Sequence, residues 1–168
     1  MSGNLKFIPG DGPDHPEVII IGEAPGKDEH EKGLPFVGRS GKLLRKLVKE
    51  ALPDVAVYYT NVVKVRPENN RTPTDEEIKS WRPLLLREIF SRTPAVIVTV
   101  GAVPAKAILD KYDIKMSDII LENDALPTIQ IEYHKYPIVN TYHPAYALRN
   151  SEASSQILKD LIRAKTKI

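Results

Sequence analysis

The chain has 168 residues, 42% hydrophobic and 27% charged, and 24 Lys and Arg against 22 Asp and Glu leave a net charge of +2. This is the make-up of an ordinary globular protein with length for its own core, so residues 1–168 are read as a single domain. The complete lack of cysteine excludes disulfides, zinc ribbons and thiolate-held clusters, no apolar run reaches the roughly 20 residues of a membrane span, and the N-terminus lacks a signal-peptide pattern, so an intracellular protein off the membrane is expected.

Residues 1–16, rich in Gly and Pro, read as an irregular lead-in. Residues 17–21 then form a β-branched apolar run of the length of a buried strand, which stops at Gly22 in the loop Gly22-Glu23-Ala24-Pro25-Gly26. Gly22 and Gly26 allow a ligand close to the backbone, Pro25 removes an N–H, and Glu23 sets an acceptor or base at the strand tip. A helix follows over residues 40–51, with Leu43, Leu44, Leu47 and Val48 at helical spacing and Ser40 placed to cap it. Residues 57–60 are a second strand that runs out through Asn61 into the polar segment ending at Pro67.

Thr74-Asp75-Glu76-Glu77 matches a capping box, and Ile78, Trp81, Leu85 and Ile89 make an apolar stripe behind it. Pro83 inside that stripe predicts a kink or an interruption. A third strand over residues 95–100 ends at Gly101, before a helix over residues 103–109. Residues 136–140 are a fourth strand leading into Thr141-Tyr142-His143-Pro144, and an amphipathic helix over residues 152–164 closes the chain. Strands alternating with helices, without hairpin signals between them, predict an α/β fold: a four-stranded parallel sheet covered on both faces in three α/β/α layers. Ligands bind such sheets beyond the carboxyl ends of the strands, which gathers Gly22-Glu23, Asn61, Gly101 and His143 at one edge.

Two nucleotide motifs fail on physical grounds. Gly33-Leu34-Pro35-Phe36-Val37-Gly38-Arg39-Ser40 has P-loop spacing, but it does not leave a strand directly, Pro35 lacks a needed amide, and Arg replaces lysine. Gly22-Glu23-Ala24-Pro25-Gly26 lacks the dinucleotide spacing and puts a carboxylate where a pyrophosphate would go. Among single residues, His143 offers an imidazole N–H to a developing oxyanion, and Asn61 an amide able to read one edge of a base. Phe36 is either a core residue or a stacking platform for a flat ring. Tyr146, Ala147, Leu148 and Arg149 either start the last helix or form an apolar wedge with a phosphate-binding neighbour.

Six segments together resemble the uracil-DNA glycosylase superfamily, and most of all its family 4, the thermostable iron–sulfur branch. They are Gly22-Glu23-Ala24-Pro25-Gly26, Gly33-Leu34-Pro35-Phe36-Val37-Gly38 with Gly41, Thr60-Asn61-Val62-Val63-Lys64, Asn70-Arg71-Thr72-Pro73-Thr74, Val100-Gly101-Ala102 and His143-Pro144-Ala145. The resemblance implies a monomeric, monofunctional hydrolase that flips uracil out of single- or double-stranded DNA and leaves an abasic site. By it Phe36 stacks on the uracil, Asn61 bonds its pyrimidine edge, backbone at Gly22, Glu23 and Ala24 holds a carbonyl, and His143 donates to O2 of the departing base. Relatives with a water-activating aspartate carry it at the position of Ala24, so Glu23 is the nearest candidate to position water. The DNA face falls to Gly41, Lys64, Arg66, Pro144, Tyr146, Ala147, Leu148 and Arg149, and the setting to the cytoplasm or nucleoid.

Two departures from family 4 matter. Its iron–sulfur cluster uses four cysteines, two of them in K-C-R-P and C-R-P runs that here read Lys64-Val65-Arg66-Pro67 and Trp81-Arg82-Pro83. No cofactor or metal is therefore expected, with apolar packing around Trp81 taking over the cluster's structural role. Relatives also often carry a wedge leucine four residues after the histidine, where this chain has Ala147, which shifts the wedge to Tyr146 or Leu148. The alternatives are a catalytically weak DNA-binding or polymerase-accessory module of the same fold, or a glycosylase for another deaminated base such as hypoxanthine or xanthine.

Overall fold

Val18, Ile19, Ile20 and Ile21 are all completely buried. Successive strand residues point to opposite faces, so an uninterrupted apolar run needs cover on both. A computed structural model, describing residues 5–120 and 125–168, meets that demand. Its order is β1 (Val18–Gly22), α1 (Lys27–Lys32), α2 (Arg39–Ala51), β2 (Val57–Asn61), α3 (Asp75–Arg92), β3 (Val96–Val100), α4 (Ala102–Leu109), α5 (Met116–Ile119), β4 (Thr128–Ile131), β5 (His134–Thr141), α6 (Pro144–Ala147) and α7 (Ser151–Lys165). No helix among the described residues is long and apolar enough to cross a membrane.

The sheet runs β2-β1-β3-β5-β4. Its first four strands are mutually parallel, and β4 adds an antiparallel edge to β5. The expected four parallel strands are thus present, and the α/β/α class holds, with a fifth strand that the sequence did not announce. Its turn, Glu132-Tyr133, carries no Gly, Asn or Pro; Glu132 itself adopts the left-handed conformation, at φ 55°. Alternation divides the core in two. Val18, Ile20, Val98 and Val139 pack against Leu44, Leu47, Ile157 and Leu161 of α2 and α7. Ile19, Ile21, Ile97 and Ile138 pack against Ile78, Leu85, Ile89, Val103 and Ile108 of α3 and α4.

Local signals decide most helix ends. The capping box is real: the Glu77 amide donates to Thr74 Oγ1 at 3.2 Å and the Thr74 amide to Glu77 Oε1 at 2.9 Å. Arg71 adds a two-pronged ion pair to the same carboxylate, and these bonds pull the Glu77 pKa down to about 2. α3 runs unbroken across Pro83, against the expected interruption, because Ile78, Leu85 and Ile89, all fully buried, bind both halves to one face of the sheet. Ser40 does not cap α2. The helix begins one residue earlier, after Gly38, and the orphan amides of Val37 and Gly38 bond the carboxylate of Glu29 instead.

Because Thr74 serves α3 alone and lies far from the strand tips in sequence, Thr74→Ala should lower unfolding free energy by about 1 kcal/mol. Urea denaturation of the two proteins measures this, and an unchanged midpoint would contradict the box's contribution.

Candidate functional site

Parallel pairing sets Gly22, the last residue of β1, beside Asn61, the last of β2. A cavity of about 170 Å³ opens just beyond them, lined by Glu23, Ala24, Phe36, Asn61, Asn70 and His143, with Pro25, Gly26, Glu29 and Pro144 among its walls. Gly22 is glycine for a steric reason. A Cβ there would lie 2.5 Å from the Phe36 ring and 2.6 Å from Asn61 Oδ1, inside any real contact distance. The missing side chain is what lets an aromatic face and an amide meet at one point.

Phe36 reaches that point from a left-handed backbone, φ 53°, which an L-residue adopts only when its surroundings hold it there. Arg45 supplies the hold: its guanidinium donates to the carbonyls of Phe36 and Pro35, both at 2.8 Å. It also pairs with Asp11 at 3.2 Å and lies over the Tyr59 ring. Gly41 completes the seat, since a Cβ on it would fall 2.4 Å from the Phe36 carbonyl carbon. Gly41 is buried under Phe36 and is also one of the residues that line the cavity.

His143 caps α6. Its Nδ1 accepts from the Ala145 amide at 3.0 Å, so that nitrogen carries no proton and the neutral ring bears its hydrogen on Nε2. Burial holds its pKa below the ordinary 6.5, which keeps the ring neutral. Gly101, at φ 108°, admits the ring; a Cβ there would stand 3.2 Å from His143 Cβ. Glu23, half-buried, lines the same cavity, and burial raises its carboxyl above the ordinary 4.5. Its own carbonyl is fixed by the Val63 amide at 3.1 Å, so the loop carrying it is tied to the β2 exit.

Two residues of the cavity went unread in the sequence. Glu29 on α1 accepts from the amides of Gly26 at 3.0 Å, Val37 at 2.9 Å and Gly38 at 2.7 Å, bolting the Glu23 loop to the Phe36 loop. These bonds hold its pKa below the ordinary carboxylate value although burial opposes them. Its signal was present: a glutamate three residues after Gly26 in a Gly-flanked loop. Asn70 lies at the mouth in left-handed conformation, with Oδ1 accepting from Arg66 Nε at 2.7 Å. Arg71 stands beside it at the cavity mouth.

The proposed DNA face divides. Pro144 lines the cavity; Tyr146 and Arg149 are exposed and Leu148 half-exposed just beyond it. Tyr146 is steadied by Asn150 at 3.0 Å and by the Tyr142 ring. Ala147 is buried in the α2–α7 core and cannot act as a wedge. Lys64 is also corrected: only 2% exposed, with its ammonium bonded to Thr60, Asn61 and Glu88, it has no phosphate to meet.

A sequence model of the Uracil DNA glycosylase superfamily matches residues 9–164. The chain belongs to that superfamily. It is 39% identical over 160 residues to the Type-4 uracil-DNA glycosylase of Saccharolobus solfataricus, covering 94% of this chain and 74% of that protein. The protein of the same name from Archaeoglobus fulgidus is 36% identical over 156 residues, 92% of this chain and 78% of its own. That from Thermotoga maritima is 36% identical over 164 residues, 96% and 82% respectively.

The iron–sulfur cluster implied by family 4 does not fit the residues present. There is no cysteine to supply a thiolate, and the described residues contain no group of three or more His, Cys, Asp or Glu able to hold a metal ion. Val65 and Trp81, at two of the ligand positions, are partly buried against the α3–α4 core, and Phe7 packs on Trp81 at 6.4 Å between ring centroids. Trp81→Ala should therefore cost about 2 kcal/mol of stability, below the range of a fully buried tryptophan, whereas an iron chelator should leave the melting temperature unchanged. A chelator-induced drop in thermal denaturation would refute this packing account.

Proposed function

We propose that the cavity takes a uracil flipped from DNA and hydrolyses its N-glycosidic bond, leaving an abasic site. The observation that carries this reading is the convergence, around Gly22, of the Phe36 ring and the Asn61 amide, with His143 on the same cavity wall. A flat ring on Phe36 gains stacking, and Asn61 offers both a donor and an acceptor to the edge of uracil. An extruded base reaches the cavity at a cost of a few kcal/mol in lost stacking and pairing, lowest at a U·G mismatch.

Chemistry follows from the charge that develops. As C1′–N1 breaks, its electron pair stays on the uracil, which leaves as an anion with charge on O2, and the sugar becomes oxocarbenium-like. His143, its Nδ1 occupied by the Ala145 amide, donates through Nε2–H to O2 and stabilises that anion. A water held near Glu23 adds its oxygen to C1′ and passes a proton to the carboxylate, whose raised pKa suits it as acceptor. Asn70, at the cavity mouth beside Gly26, is positioned to orient the same water. Pro144, Tyr146, Leu148, Arg149 and Arg66 meet the DNA, Tyr146 being the protruding side chain that fills the gap left by the base. The same reading has one domain acting as a monomer inside the cell, without a metal or cluster. A pure binding module has no use for an imidazole in this cavity whose tautomer is fixed by a backbone amide.

His143→Ala and Asn61→Ala should each cut uracil excision about a hundredfold or more, measured by alkaline cleavage of a uracil-containing oligonucleotide; near-normal turnover in both would sink the assignment. Gly22→Ala should lose about a hundredfold through displacement of Phe36 and Asn61, while remaining folded by circular dichroism.

The pH profile has a definite sign. Catalysis needs Glu23 ionised and Nδ1 of His143 unprotonated, and both conditions fail on acidification. Because burial shifts Glu23 up from 4.5 and His143 down from 6.5, kcat/KM should fall on acidification with a limb centred above pH 4.5, where Glu23 takes up its proton. An acid limb centred at or below pH 4.5 would show that Glu23 does not govern the rate.

A further inference from the structure

Among the described residues Lys64 is the one buried lysine. Its Nζ donates to Thr60 Oγ1 and the Asn61 carbonyl, both at 2.5 Å, and to Glu88 Oε1 at 2.6 Å, which uses all three protons of an ammonium. The second oxygen of Glu88 accepts from Tyr58 OH at 2.7 Å and Thr60 Oγ1 at 2.9 Å. One buried charge pair thus joins three residues of β2 to the middle of α3. It sits behind the reading amide, at the base of a separate crevice shared with Phe7, Tyr58 and Leu84.

Burial pulls the Lys64 pKa down while Glu88 pushes it back up, so the pair is kept at an electrostatic cost. Replacing a buried ion pair with apolar residues of like volume is often neutral or stabilising, so stability alone gives little reason for it. Its geometry supplies another. The peptide that joins Asn61 to Val62 is held at both of its groups, its carbonyl accepting from Lys64 and its N–H donating to the Gly22 carbonyl at 2.9 Å, so the backbone that leaves the Asn61 side chain is fixed.

We propose that Lys64, locked by Glu88, is a positioning residue that orients the Asn61 amide and so sets the discrimination of uracil from other bases. This rests on the excision reading above. The test compares the parent with Lys64→Met, Glu88→Gln and the core control Leu85→Ala, all assayed well below their melting temperatures on uracil and cytosine oligonucleotides. Loss of orientation should lower kcat on uracil about tenfold or more in Lys64→Met and to a smaller degree in Glu88→Gln, with KM for DNA within about twofold of the parent and a narrower uracil-to-cytosine ratio. Leu85→Ala should lose stability but keep both kcat and the ratio. Should Lys64→Met fail to fold, Glu88→Gln, which keeps size and hydrogen bonding but removes the countercharge, carries the test. An inactive parent overturns the excision reading; an active parent with Lys64→Met and Glu88→Gln matching it in kcat and selectivity overturns the positioning role alone.

Discussion

Everything at the rim of this sheet depends on a contact that one hydrogen atom permits. Gly22 ends the interior strand β1, and the side chains approaching it come from different parts of the chain: Asn61 from the neighbouring strand and Phe36 from a loop fourteen positions on in sequence. A parallel sheet brings strand ends together but leaves their side chains in rows; it takes an absent side chain in the middle of the row to let a ring and an amide share a point. The remaining features defend that point. Arg45 and Gly41 hold Phe36 in a backbone conformation it would not adopt alone, and Glu29 ties its loop to the loop of Glu23. A strained aromatic, a half-buried arginine and a multiply bonded carboxylate together hold the cavity's walls in one arrangement.

The electrostatics of the cavity follow the same logic. Burial raises the Glu23 carboxyl, which makes it a better proton acceptor when ionised, and lowers His143, which favours the uncharged ring. A positively charged imidazole would bind any anion, including phosphate along the DNA. On the proposed mechanism, a neutral imidazole with its proton on Nε2 rewards charge only where it appears, on the departing base, which is differential binding of the transition state. Cations are held back from the cavity's interior: Arg45 is engaged under the Phe36 loop and Lys64 behind Asn61, while Arg66 and Arg71 stand at the mouth.

Much of this was legible in the sequence, and the parts that were not share a cause. Apolar runs gave the four parallel strands because a strand buried on both faces has a composition no other element mimics, and the Thr74–Glu77 box predicted a helix start because it is wholly local. Phe36, Asn61 and His143 were readable through motif order. Lys64 and Ala147 were misread as surface residues because residue type alone does not say whether a side chain near an element's end faces solvent or turns back into the core; Glu88, the partner of Lys64, lies 24 residues away. Glu29 and Asn70 were overlooked for the converse reason. Each acts by bonding backbone or a neighbouring side chain across a loop, and such roles exist only once the loops have met. The β4–β5 hairpin stayed hidden because its turn uses Glu132 and Tyr133, residues without turn preference, under the compulsion of a neighbouring strand.

The cysteine-free clasp bears on the buried pair more directly than on the reaction. Phe7, Val65 and Trp81 gather where the N-terminal segment, the β2 exit and α3 meet, and the Ile8 amide donates to the Lys64 carbonyl at 2.7 Å. This clasp therefore covers the same side of the sheet that holds Lys64 and Glu88. A charged cluster there would compete with Glu88 for the field at Lys64; hydrocarbon does not, and by keeping water away it strengthens the attraction between the two charges as much as it raises the cost of separating them. On the positioning proposal, the orientation of Asn61 is then a matter of how this apolar clasp packs around the Lys64–Glu88 pair.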